Sequence, residues 1–277
     1  MSDDWSEAHQ HEAEQSAPAW VFSDDDDETG LVPAIPAATL VLLREGEGAV
    51  EALFVRRAST MRFAPGATVF PGGRVDASDV RLAEQIHIGL PLADAAARIA
   101  AIRETIEETG VAVGLDIAPD EIAEFRRKLH AGSNFAELVA QSSIRLDLQA
   151  LTPFTRWRPN FQHARVFDTR FFIAVAPQGQ LASPDREESI ETLWSSARQL
   201  LRHADDGNNT LIFPTRRTLD RMALWTSIPA AYDQVGAFAA RRVTPWKTSV
   251  RGEDFLCIRG DAGFPVTAER IAPAFKG

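Results

Sequence analysis

Ala37-Ala38-Thr39-Leu40-Val41-Leu42-Leu43 is a nearly unbroken apolar run, bounded by Pro36 and by the turn Glu45-Gly46-Glu47-Gly48. A short apolar run between turn signals predicts a buried strand. Glu51-Ala52-Leu53-Phe54-Val55-Arg56 predicts a second strand, and the pair predicts a hairpin. Phe70-Pro71-Gly72-Gly73 predicts a sharp, irregular turn. Residues 76–90 read as an irregular or short helical insertion. From Leu92 to Thr109 the apolar positions recur at helical spacing, and Gly110 is placed to cap the helix. Residues 120–142 predict a second helical region, in one or two pieces. Arg170–Ala176 reads as a strand ended by Pro177. Residues 193–203 and 215–240 read as helical, with a break near Pro229, and Phe255–Ile258 as a late strand. Strands and helices mix without the steady βαβ rhythm of a doubly wound sheet.

The helix over 95–109 separates two kinds of side chain. At about 100° per residue, with Glu104 at zero, Glu107 falls near −60° and Glu108 near +40°. Ile99, Ile102 and Ile106 fall on the opposite face, and Ala97, Ala100 and Ala101 on the carboxylate side. Small residues there leave room for another backbone. Glutamates at i,i+3 and i,i+4 repel by a few tenths of a kcal/mol each. These also sit near the helix C-terminus, where the macrodipole disfavours anions. A solvated acidic face with Arg103 as counterion is the bland reading. A hard divalent cation would reverse the cost, because Mg²⁺ and Mn²⁺ prefer carboxylate oxygens.

Composition refines this picture. The 277 residues carry a formal charge of −10, but residues 1–30 hold ten acidic side chains and no Lys or Arg. The rest balances 29 acidic against 29 basic residues, so the charge says nothing against an anionic substrate. The block Asp24–Glu28 predicts a solvated, disordered tail over 1–32. No apolar run reaches the roughly 20 residues of a membrane span. The one cysteine, Cys257, and the lack of a signal-like N-terminus fit a cytoplasmic location. The histidines show no zinc spacing. There is no P-loop, no Gly-x-Ser-x-Gly elbow and no basic, aromatic-rich patch for nucleic acid.

Arg103-Glu104-Thr105-Ile106-Glu107-Glu108-Thr109-Gly110-Val111, preceded by Gly72-Gly73, resembles the Nudix box, Gly-x5-Glu-x7-Arg-Glu-U-x-Glu-Glu-x-Gly-U. The second half matches apart from Thr105 at an aliphatic position. In the first half Gly73 lies 30 residues before Arg103, so about 16 residues are inserted relative to that pattern. The glutamate expected eight before the arginine is Ala95, with Asp94 and Glu84 as possible substitutes. Arg57–Gly73, together with Phe167-Asp168-Thr169-Arg170-Phe171-Phe172 and Trp157, is similar to the coenzyme A diphosphatase branch. Within it the likeness is to the nucleoside diphosphate-linked moiety X motif 19 group.

The resemblance implies an α/β/α sandwich with a mixed, curved sheet. The expected organisation is a Nudix domain over 33–213 with an insertion at about 76–91, and a helical extension over 214–277 packed on the same domain. It implies that Glu104, Glu107 and Glu108 bind Mg²⁺ or Mn²⁺ and that Arg103 orients them. The general base is open among Glu107, Glu108, Glu188 and Glu191; the loop holding the last two is equally readable as a solvated turn. Arg57, Arg62 and Arg74 are candidate phosphate ligands through forked hydrogen bonds, with structural pairing as the alternative. Gly72 and Gly73 shape the turn. Trp157 and Phe161 are core residues or adenine platforms, with core the commoner use of such aromatics.

The implied reaction is hydrolysis of coenzyme A or acyl-CoA to 3′,5′-ADP and (acyl-)4′-phosphopantetheine. Hydrolysis of another nucleoside diphosphate derivative, such as ADP-ribose, NADH or a dinucleotide, is the near alternative. A non-catalytic, nucleotide-binding regulatory module is the alternative of another class. A small-molecule partner is expected, with no nucleic acid and no membrane; a homodimer is compatible with the sequence.

Overall fold

Strand β1 (Ile35–Glu45) organises the molecule. In the computed structural model, which describes residues 30–271 except 87–88, 143 and 162–164, this strand is covered on both faces. Ala38, Leu40 and Leu42 enter one hydrophobic core, and Val41 and Leu43 the other. Burial on both sides is why the run is apolar at nearly every position. The tail expected over 1–32 lies almost wholly outside the described residues.

β2 (Val50–Arg57) returns antiparallel to β1 at the turn, with Leu43 opposite Ala52 and Glu45 opposite Val50. Farther along, β3 (Thr68–Val69) pairs with β2, and β4 (Gly72–Arg74) pairs with β1. The segment between β3 and β4 is the expected sharp turn.

The insertion forms α1 (Ala77–Gln85), started by a capping box between Asp76 and Asp79. α2 (Leu92–Thr109) has the expected boundaries. The second helical region is two pieces, α3 (Ile122–His130) and α4 (Phe135–Gln141).

β5 (Thr152–Trp157) pairs antiparallel with β6 (Phe167–Val175). β6 lies parallel to β1 from Ile35–Phe167 to Leu43–Val175. The region expected to be helical from residue 193 begins instead as β7 (Ser189–Ser196), antiparallel to β2. α5 (Ala197–Asp205) starts only after Ser196, whose hydroxyl accepts from the Gln199 amide. Cross-strand pairing of Trp194 with Leu53 overrides the helical pattern there.

α6 (Phe213–Met222) and α7 (Ile228–Gly236) follow. The expected break near Pro229 falls between Met222 and Ile228, just before that proline. Pro229 sits in the first turn of α7, where a missing N–H costs nothing. Residues 214–277, expected as a helical extension, continue through β8 (Arg242–Val243), which pairs with β5. β9 (Trp246–Val250), β10 (Glu253–Cys257) and β11 (Ala268–Arg270) then form a separate three-stranded sheet.

The result is a mixed sheet with helices on both sides. α1 to α4 build the core on one face, and α5 to α7 the core on the other. Among the described residues no helix is long and apolar enough to cross a membrane.

Candidate active site

α2 carries the site because its two faces differ. Ile99, Ile102 and Ile106 are fully buried in the core with β1, each adding about 1.5–3 kcal/mol of apolar burial. Gly110 ends the helix in the left-handed region at φ 71°, with its N–H donating to Ile106 O at 2.8 Å. This fixes where Glu104, Glu107 and Glu108 sit relative to the sheet. The alanines on their side are fully buried, in the same core as Leu82 and Ala83 of α1.

β4 comes against the carboxylates at two glycines. Gly72 has φ 155°, and a Cβ there would collide with the Ala38 carbonyl of β1. Its N–H donates to Glu108 Oε2 at 2.9 Å. At Gly73 a Cβ would overlap the Glu104 carboxylate. The pair therefore makes room for the glutamates as well as turning the chain. Gly73→Ala is expected to displace Glu104 and cut activity at least tenfold, at a stability cost of about 1–3 kcal/mol. Steady-state hydrolysis beside thermal unfolding checks this; parental turnover would show that the close approach has no functional role.

Arg103 is almost enclosed. Its Nη1 donates to Glu104 Oε1 at 2.9 Å and Glu107 Oε2 at 3.1 Å. Its Nη2 donates to Arg74 O at 3.0 Å and Asp79 Oδ2 at 2.9 Å, and Nε to Asp79 Oδ1 at 3.1 Å. Burial alone would weaken its hold on the proton. The Asp79 bond and the charges of Glu104, Asp79 and Glu107 outweigh that and raise its pKa.

The glutamates are under the opposite pressure. Burial pushes Glu104 up to about 7, against the pull of Arg103 and with repulsion from Glu107 adding to it. Burial likewise raises Glu107, and raises Glu108 well above the ordinary carboxylate range with repulsion from Glu104. The Gly72 N–H and the Arg57 charge oppose the shift at Glu108, and Asp185 adds to it. These acids lack enough positive charge.

Buried and half-buried, oxygen-only, electron-rich donors fit a hard divalent cation. Among the described residues, however, no three such side chains converge as a ready-made metal centre. Arg103 holds Glu104 and Glu107, and Gly72 holds Glu108.

The other expected residues are scattered in role. Arg57 donates from Nε to Phe63 O at 3.1 Å, so it ties the loop that follows β2 while its charge reaches Glu108. Arg62 and Arg74 are exposed, and the Arg74 carbonyl serves Arg103. Glu191 is engaged by Arg56 at 2.6 Å across β2 and β7. Glu188 is exposed, in a turn where Asp185 Oδ1 accepts from the amides of Glu187, Glu188 and Ser189. Trp157 is only 2% exposed, edge-on to Phe213 and Phe264, which favours its core reading. Phe161 has the Lys247 ammonium 5.7 Å from its ring centre.

Sequence reasoning missed several residues here. Asp79 is the acid that faces Arg103; Asp94 pairs instead with Arg98, and Glu84 is exposed. The spacing of Asp76 and Asp79 as a helix start was its one local signal. Arg126 and His130 of α3 bond the Glu107 carbonyl at 3.0 and 2.9 Å, and Ser189 donates to the Glu108 carbonyl at 3.3 Å.

The family model described as the NUDT19 Nudix domain matches residues 82–222. The chain is 26% identical over 235 residues to the Gallus gallus protein named acyl-coenzyme A diphosphatase NUDT19, covering 64% of this chain and 62% of that one. It is 27% identical over 198 residues to the Homo sapiens protein of the same name, covering 52% of each. The chain thus spans about half to three-fifths of the length of these curated relatives. A crystal structure of a NUDIX hydrolase from Alicyclobacillus acidocaldarius superposes with a TM-score of 0.61 at 30% identity, over 73% of this chain and 96% of that one. Nudix hydrolases generally use divalent metals. With the family model matching just over half of its residues, the chain belongs to the Nudix family, in the NUDT19 Nudix domain group.

Proposed function

We propose that this chain is a pyrophosphohydrolase that uses Mg²⁺ or Mn²⁺ to cleave coenzyme A or an acyl-CoA into 3′,5′-ADP and (acyl-)4′-phosphopantetheine. The observation that carries the reading is the half-buried to buried, charge-starved face of Glu104, Glu107 and Glu108 against Gly72 and Gly73. The substrate class is supported by the relatives' names and by the arginines at the end of β2 and after it.

Water adds to one phosphorus, the bridging P–O bond breaks, and two phosphate monoesters leave with release of a proton. A divalent cation held by Glu104, Glu107 and Glu108 would supply charge to the phosphoryl oxygens and acidify a water. The chain's own residues do the rest. Arg103 keeps Glu104 and Glu107 side by side, and the Gly72 amide sets the rotamer of Glu108. A base with proton affinity raised by burial suits accepting the proton from water, which favours Glu107 or Glu108. Glu191, engaged by Arg56, is the weaker candidate, and Glu188 is exposed. Arg57, at the end of β2, and Arg62 and Arg74, from the segment between β2 and α1, are the proposed phosphate ligands.

The test is a chromatographic product assay with Mg²⁺ or Mn²⁺ across coenzyme A, acyl-CoAs, ADP-ribose, NADH and dinucleoside polyphosphates. Release of 3′,5′-ADP from coenzyme A at the highest kcat/KM supports the reading. Preference for another substrate assigns the site to that diphosphate. Binding of coenzyme A without any product makes the chain a nucleotide-binding module. Arg57→Ala and Arg62→Ala are each expected to raise KM for coenzyme A about tenfold, the worth of a charge-assisted hydrogen bond. An unchanged KM in both would remove the arginine segment from substrate recognition.

A further inference from the structure

We infer that Asp79, on the inserted helix α1, is a positioning residue that sets the cation affinity of the site through Arg103. The inference rests on the reading of that site as a divalent-metal centre. Asp79 is 1% exposed, and both of its oxygens are used. Oδ1 takes the Arg103 Nε proton, and Oδ2 takes one from Nη2. Oδ2 also accepts from the Asp76 amide at 2.8 Å, which closes the first turn of α1.

The pairing completes Arg103. A guanidinium has five N–H donors in a rigid fork. Here two go to Asp79, one to the Arg74 carbonyl, one to Glu104 and one to Glu107. The plane of the group is thereby fixed, with only its Nη1 edge presented to the glutamates. Without Asp79, two buried donors lose their acceptor; Asp76 Oδ2 stands 3.7 Å from Nη2, and the other acceptors at hand are the oxygens of Glu104 and Glu107. Arg103 would then compete with a cation for those oxygens. With Glu104, Glu107 and Asp76, Asp79 makes four carboxyl groups around one guanidinium, deepening the negative potential that attracts a divalent ion.

The support is rigid. α1 is anchored on α2 by Leu82 and Ala83 in the shared core. Ala95 offers no side-chain oxygen and is buried, and Asp94 is engaged with Arg98 at 3.2 Å. Partners that orient metal ligands change metal affinity by roughly 10–100-fold when removed.

The competing role for Asp79 is purely local, as the cap of α1. Mn²⁺ binding to the full chain without substrate, followed by electron paramagnetic resonance, separates the two. Asp79→Asn retains an oxygen for the Asp76 amide but loses the charge and one acceptor for Arg103. It is expected to bind Mn²⁺ at least tenfold more weakly, with metal-free unfolding shifted by only a few degrees. Asp79→Glu, which keeps the charge but displaces it, is expected to fall between Asp79→Asn and the parent, and provides the reading if the asparagine variant does not fold. Asp79→Asn and Arg103→Lys should be non-additive in Mn²⁺ affinity, as expected for residues acting as one unit. Parental Mn²⁺ affinity in Asp79→Asn and Asp79→Glu, with only stability lowered, would overturn the inference and leave the metal-centre reading standing. A parent chain that binds no Mn²⁺ would overturn both.

Discussion

Glu108→Gln is expected to lower kcat/KM about 10³-fold while leaving the protein folded. The substitution changes one oxygen to an amide nitrogen and little else. Glu108 is 5% exposed, so no larger side chain would fit without repacking. The glutamine oxygen can still accept the Gly72 N–H that now goes to Oε2. What disappears is the negative charge, and with it both a cation ligand and a candidate base. Far-UV circular dichroism should match the parent, and product release from coenzyme A should fall to the edge of detection. Parental turnover would mean that cation binding and proton transfer lie elsewhere.

Glu104→Gln is expected to stabilise the metal-free protein and to abolish its stabilisation by metal. The free carboxyl titrates at 4.5, and burial lifts Glu104 to about 7 in the folded chain. The folded state therefore holds this proton more tightly than the unfolded state. Its contribution is fully present below about 4.5 and is lost as pH rises toward 7. By neutral pH the loss is of the order of 3 kcal/mol. Glutamine has no such loss, so at pH 7.5 in a chelator the variant should melt several degrees above the parent. Added Mn²⁺ should reverse the order, because only the parent retains the full ligand set. Thermal melts from pH 5 to 8, with and without Mn²⁺, test this. A variant that melts below the parent in chelator at pH 7.5 would show that the Glu104 charge is already compensated by Arg103.

The parts of this site legible in the sequence are those set by local periodicity. Leu92–Thr109 and its Gly110 cap are readable because 3.6-residue spacing and a left-handed glycine are local properties. The shared face of Glu104, Glu107 and Glu108 follows from the same spacing. Long-range pairings were not legible. Asp79 reaches Arg103 across 24 residues and an insertion. The engagement of Glu191 by Arg56 depends on the β2–β7 register, which the helical reading of residues 193–203 obscured. The role of Gly73 is partly legible. Its place in a turn follows from Pro71-Gly72-Gly73, but the space it leaves for Glu104 depends on how β4 docks against α2.

Placing α1 inside the box has a consequence for how freely the chain length can vary. Both ends of the inserted stretch are fixed, by β4 on β1 and by the first turn of α2. Lengthening a tethered loop costs only about 0.6 kcal/mol per doubling. The connection between Gln85 and Leu92 is therefore a place where length is nearly neutral. The few residues from Arg74 to Asp79 are different, because they run directly between a carbonyl and a carboxylate on the same guanidinium. A deletion there would change the bite of that clamp, whereas an addition after Gln85 would leave it untouched.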